Sequence, residues 1–405
     1  MPPRNATLGS ALIALLAAGT ATTALAETAE MNPPVAAQSV SGITATGQLD
    51  RFTPAKDLRD HRIDYTYLDE TLGYLVIPMG PSVREGAPRV QPGTGTRRIY
   101  GHESRYRLEG NRLAFSFVTD EIRAALSEYR ADLERVGSEL EIASLPRNEQ
   151  LAFWLNIHNV AVIEALAYAY PLQQPSKENF GSNDAALDDA KLVTIAGVSL
   201  SPREIREGIV YPNWRDPKVM YGFWRGEIGG PSIQRLAFTG SNVDALLALS
   251  AEEFVNSLRG VEKYSGALRV SRLYEEAARF YFDDFDVLRT HLTQYARDDV
   301  KALIAKTEQT RYSTYETDVA DLSRGERDPA VQFTATLEDL SGSGTFALQG
   351  RTAAIEQSKI NRAVARLMTE RRAKLTKAYR RGIRSGMVIY GDGQYSDADA
   401  SREVE

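Results

Sequence analysis

The chain has 405 residues and not one cysteine. That absence excludes disulfides, thiolate catalysis, iron–sulfur clusters and cysteine-ligated zinc. Histidine is scarce. His61, His102, His158 and His291 stand far apart, and none pairs at the spacing of a metal-binding helix. Positive charge is not in excess either: 48 Lys+Arg face 54 Asp+Glu, a net charge of −6. No overall field therefore draws nucleic-acid phosphate, and no nucleic-acid partner is expected. Phosphate-loop and nucleophile-elbow patterns are missing, and Arg98 occupies the third place of the pattern begun by Gly93 and Gly95. No cofactor is indicated. Beyond the first residues no run reaches 18 consecutive apolar positions, so no transmembrane segment is expected in the mature chain.

What is present begins with an export pattern. Arg4 precedes an apolar core from Ala11 to Ala18, and Ala24-Leu25-Ala26 offers small residues for a signal peptidase. The pattern predicts cleavage after Ala26 and a periplasmic or secreted protein. Gly19, Thr20, Thr22 and Thr23 interrupt the run before it could span a bilayer. Residues 27–50 read as a flexible leader and 51–104 as an N-terminal extension. Its candidate core residues are Ile63, Tyr65, Tyr67 and Leu68, and a Gly/Pro-rich surface loop covers 80–102.

Residues 105–320 carry the strongest periodicity. Leu113, Phe115 and Phe117 alternate like a strand, and helices are expected at 119–140, 148–170, 202–210, 243–258 and 273–285. Two more are expected at 287–296 and 298–307. The helix from Asn148 to Tyr170 is apolar around its circumference, which predicts burial. A hairpin is expected around Gly197 and a strand at Leu268–Val270. Asp283, Asp284 and Asp286 cluster without a calcium-loop pattern and read as a solvated helix end. Few strands among many helices make the class α+β. Residues 321–350 read as a linker with a strand at Val331–Leu337. A basic helix follows at 351–386, with eleven Lys/Arg against two Glu between Arg351 and Arg384, and then a flexible tail at 387–405.

Several stretches together resemble one family. They are Asn148 to Asn159 (NEQLAFWLNIHN), Leu200 with Glu204 to Gly208, Asp216 to Met220 running on to Pro231, and Tyr281 to Phe285, with Tyr315 opening a worn closing motif. The chain is similar here to the family called domain of unknown function 547. That resemblance implies a papain-like or transglutaminase-like domain with a small sheet, descended from a cysteine-dependent acyl-transfer enzyme.

The departures bear on function. Met220 stands where the family has a histidine, Arg225 where it has a cysteine, and Gly230 at the second cysteine position. Arg206-Glu207 replaces a Glu-His pair. Acyl transfer of the cysteine type needs a thiolate beside an imidazole. Arginine stays protonated and serves as neither nucleophile nor base. The expected reading is thus a non-catalytic binding or scaffold protein on a degenerate cysteine-peptidase-like fold. Its cleft candidates are Asn156, His158, Asn159, Met220, Arg225, Glu227 and Ser232. Asn156 and Asn159 are expected to brace the fold, and Arg225 to hold an anionic group. The basic helix is the expected contact for an unknown periplasmic protein or an anionic envelope component. Packing of that helix on the parent domain is the alternative. The competing functional reading is a hydrolase in which Ser232 pairs with His158.

Overall fold

The structure is a computed structural model, which describes residues 45–55, 61–91, 99–313, 315–326, 331–332, 359–360 and 362–383. The expected signal peptide, most of the leader and linker, and the tail lie outside the described residues.

A short helix α1 (Ala45–Leu49) and α2 (Thr66–Leu75) lead in, followed by α3 (Asp120–Glu139) and α4 (Arg147–Ala169). Helix α3 starts where Thr119 caps it by accepting from the Ile122 N–H at 3.4 Å, with Asp120 and Glu121 in its first turn. Pro146 opens α4, the helix that the sequence makes apolar all round. Phe153, Trp154, Leu155, Ile157 and Val160 along it are fully buried. Helices α3 and α4 approach so closely that a Cβ on Gly137 would lie 2.6 Å from the Phe153 ring. By length and composition α4 could cross a bilayer, but most of its apolar window is buried inside the protein.

The sheets are small. Antiparallel pairs join β1 (Val76–Ile77) to β2 (Arg112–Leu113), β3 (Asn179–Phe180) to β4 (Ala185–Ala186), and β5 (Val193–Ile195) to β6 (Val198–Leu200). The last is the expected hairpin, turning at Ala196-Gly197. β7 (Val261–Tyr264), β8 (Ala267–Val270) and β9 (Thr310–Tyr312) make the largest sheet, with β9 parallel to β8. The protein is α+β. Because Val76 pairs with Leu113, residues of the expected extension join the domain, and Phe52, Tyr65 and Leu68 share one core with α4.

Several expectations are corrected. Phe115–Phe117 is a 3-10 turn, not a strand, since only Arg112–Leu113 finds a pairing partner. The helix expected from Pro202 becomes π-helical over Glu204–Val210 and continues as α5 (Tyr211–Asn213). Then comes α6 (Val243–Val255). The helix expected over 273–285 ends earlier, as α7 (Leu273–Tyr281), and the one expected at 287–296 begins earlier, as α8 (Phe285–Tyr295). Asp284 divides them by accepting from the Asp286 and Val287 N–H groups, both at 2.9 Å. Helix α9 spans Asp298–Ala305. In the extension, Tyr65 and Leu68 are buried but Tyr67 is exposed, because only the first two face the core.

The basic helix begins later than expected. Lys359–Ile360 (β11) pairs with Val331–Gln332 (β10), and α10 runs from Arg362 to Arg380. Val364, Leu367 and Met368 of α10 bury against Ile77, Met79 and Leu108 in a second core. Two of its cations, Arg371 and Lys374, are buried as well. Lys374 Nζ donates to the carbonyls of Met79 (3.1 Å), Gly80 (3.0 Å) and Leu108 (2.5 Å). Arg371 donates to the Pro78 carbonyl at 2.6 Å, and Lys377 and Arg381 bind Glu85. Tyr379 near the C-terminal end of α10 is 86% exposed. Packing on the parent domain is therefore the arrangement observed, and the inward cations are withdrawn from a free basic face.

Candidate functional site

Helix α4 positions three of the candidate residues. Asn156 and the Phe238 backbone bond reciprocally, Nδ2 to the carbonyl at 2.7 Å and N–H to Oδ1 at 3.0 Å. Asn159 joins the Gly222 carbonyl and the Trp224 N–H, both at 2.9 Å. Each amide ties a loop to the buried helix, the bracing role expected from sequence.

His158 is fully buried between them. Its Nε2 lies 3.2 Å from Arg206 Nη1, and its Nδ1 lies 3.1 Å from Asn159 Oδ1. Since Arg206 can only donate, Nε2 must accept and the ring proton sits on Nδ1. Burial, reinforced by the Arg206 charge, pushes the imidazole down to about 3, so it is neutral. Met220 is entirely buried in the 3-10 turn Pro217–Gly222.

Ser232 belongs to a different cluster. Its Oγ donates to Glu253 at 2.9 Å and accepts from Arg259 Nη2 at 3.0 Å and the Asn111 N–H at 3.1 Å. Among the described residues no hydrogen bond joins Ser232 to His158. Among the described residues the two side chains share no hydrogen-bond partner.

Arg225 and Glu227 do share a wall. They line a cavity of about 680 Å³ together with Asp188, Arg203 and Glu276. Arg225 grips Glu276 with two bonds of 2.6 and 2.7 Å, and lies 3.8 Å from Asp188. Arg206, the other arginine at a substituted motif position, grips Asp188 with bonds of 2.9 and 2.6 Å and reaches Glu276 at 3.2 Å. Both departures from the family pattern thus meet on the same two carboxylates. The four charges cancel in a buried lattice of bidentate pairs. The π-helical stretch supplies the register that aims Arg206 inward, and such stretches recur at functional sites.

The electrostatics follow from this lattice. Burial alone would raise the Glu276 carboxyl, but Arg225 and Arg206 outweigh it and hold the group at about 2. Asp188 is likewise held below the usual carboxylate range, Arg206 and Arg225 again overcoming burial. Glu227 goes the other way. Burial, with Asp188 adding to it, raises its carboxyl to about 8 against hydrogen bonds from Ser176. It carries a proton at neutral pH.

The site contains residues that sequence reasoning missed. Asp188 and Glu276 lie outside the motifs, and only the burial of Arg206 and Arg225, which require carboxylates nearby, points to them. The arrangement can bind and orient a ligand. Arg225 is held by carboxylates and offers no nucleophile. Among the described residues no cluster of three metal-ligating side chains occurs.

Comparison with known proteins places this geometry in a family context. Residues 142–255 match the model of the family described as Protein of unknown function, DUF547, which covers α4, the π-helical stretch and the Arg225 loop. The family resemblance carried by the motifs is thus shown over that stretch. No curated protein and no solved structure matches the chain.

Proposed function

We propose that the protein is an exported, non-catalytic binding protein in which a peptidase-like scaffold, of the papain-like or transglutaminase-like kind implied by the family resemblance, holds a ligand in the Arg225 cleft. One observation carries the reading: the arginine at the ancestral cysteine position is locked to Glu276 on the wall of an open cavity of about 680 Å³. That volume lies within the ~300–1,000 Å³ of small-molecule sites. The cleft, rather than α10, is the recognition element, because Arg371 and Lys374 of α10 are bonded to backbone carbonyls beneath it. The hydrolase alternative draws no support from Ser232, whose oxygen is already held by Glu253, Arg259 and Asn111.

Native mass spectrometry of the mature protein from the cells that make it tests the reading. A small molecule should be retained by the natural protein and lost from Ser313→Trp, which fills the cavity. Retention of nothing, or equal retention by both, would overturn it.

A further inference from the structure

Most charged groups of the cleft already satisfy one another; Arg272, also on the wall, is exposed and lies 3.6 Å from Glu275. Arg225 is held by Glu276, Arg206 by Asp188, and Arg203 by Asp189 at 2.6 Å. A charged ligand that reached the Arg225–Glu276 pair would have to break it and leave one largely buried partner uncompensated, whereas the Arg203–Asp189 pair is exposed. Neutral ligands face no such penalty.

A second feature of the wall says what kind of neutral ligand fits. After β9 the chain runs beside the Gly226–Gly230 loop, with the Gly229 N–H donating to the Glu316 carbonyl at 2.9 Å and the Ile228 N–H to the Asp318 carbonyl at 2.9 Å. Ser313, Tyr315 and Thr317 occupy alternate positions, and all three line the cavity. They form a row of hydroxyls, each able both to donate and to accept. Leu187, Leu273 and the Tyr312 ring add apolar surface to the same cavity.

The floor is polar and incompletely bonded. Tyr315 Oη and Glu227 Oε1 are buried without a hydrogen-bond partner, as is Arg225 Nε. Gly230 makes room for the phenol: a Cβ there would lie 2.9 Å from Tyr315 Oη and 3.3 Å from the Arg225 stem. Glycine at the second ancestral cysteine position thus lets Tyr315 close over Arg225. Burial raises the Tyr315 phenol well above its ordinary range, so it keeps its proton for donation.

Resting on the binding reading above, we propose that the cleft ligand is a neutral saccharide whose hydroxyls run along Ser313, Tyr315 and Thr317. Sugar hydroxyls both donate and accept, as this wall does, and the C–H faces of the rings suit the leucines and Tyr312.

The test screens the full mature chain against an array of neutral and acidic oligosaccharides, then measures hits by titration calorimetry beside trigalacturonate and trialanine. At least one neutral oligosaccharide should bind, and the Ser313→Ala/Thr317→Val variant should weaken it tenfold or more with an unchanged melting temperature. Tyr315→Phe, which keeps the ring, should weaken it about fivefold, the loss of roughly one hydrogen bond. Binding of trigalacturonate or trialanine alone would overturn the saccharide assignment. So would a neutral sugar whose affinity the variants leave unchanged. If no sugar binds but native mass spectrometry still finds a molecule displaced by Ser313→Trp, the saccharide assignment fails and the binding reading stands. If both experiments are empty, both fail.

Discussion

Replacing Arg225 by methionine would leave Glu276 to share Arg206 with Asp188, which Arg203 also reaches at 3.4 Å. Breaking a buried pair from one side is destabilising by about 3–5 kcal/mol, whereas removing both partners is far milder. Arg225→Met should therefore lower stability by that order in urea unfolding, and Arg225→Met/Glu276→Met should recover much of the loss. Additive losses would contradict the coupling. Glu227 makes a prediction of opposite kind. Its carboxyl titrates near 8 in the folded protein and near the ordinary 4.3 when unfolded. An acid whose pKa rises on folding contributes stability fully below the unfolded value and loses it as pH climbs through the folded one. Glu227→Gln, which mimics the protonated group, should match the natural protein's melting temperature at pH 4 and exceed it at pH 8. Glu276 and Asp188 run the reverse course, their contribution being present above about 4.3 and lost as pH falls toward 2.

At the scale of elements, α10 depends on one lysine more than on its charge density. Lys374 satisfies three carbonyls that would otherwise be buried without donors, those of Met79, Gly80 and Leu108. Lys374→Met keeps the apolar stem and removes the donors, and should destabilise by about 2–3 kcal/mol. Trypsin cleavage within 362–383 should quicken accordingly, and unchanged protection would show that the apolar contacts alone hold the helix. Sequence periodicity located α3, α4, α6 and α9 because each carries either a long amphipathic stripe or a continuous apolar surface. It failed at Phe115–Phe117, where alternation without a partner strand gives a turn. It placed the break between α7 and α8 a few residues late, because the capping bonds of Asp284 set where α8 begins. The late start of α10 was illegible for a related reason, since β11 exists only through its pairing with the distant β10.

At the scale of the whole molecule, the export pattern makes a prediction independent of the fold. The intact mass of the protein recovered from its natural cells should correspond to a chain beginning at Glu27, and a mass retaining Met1 to Ala26 would remove the export reading. The single core running from Phe52 through α4 has a consequence as well. The expected extension is continuous with the domain, so its boundary at 104 is not a place where the packing divides.

The sequence by itself determined the absence of thiol chemistry, the burial of α4, the α+β class and the family resemblance, because composition, period and contiguous motifs are local properties. It also put Asn156 and Asn159 in bracing roles and marked Arg225 and Glu227 as cleft residues. Only the tertiary structure decided that Ser232 and His158 have separate partners, that Arg371 and Lys374 of α10 are buried, and that Arg206 and Arg225 converge on Asp188 and Glu276. The physical reason is common to all three. A charge or hydroxyl is defined by what lies within about 3 Å of it, and for these residues those neighbours come from segments tens to hundreds of positions away.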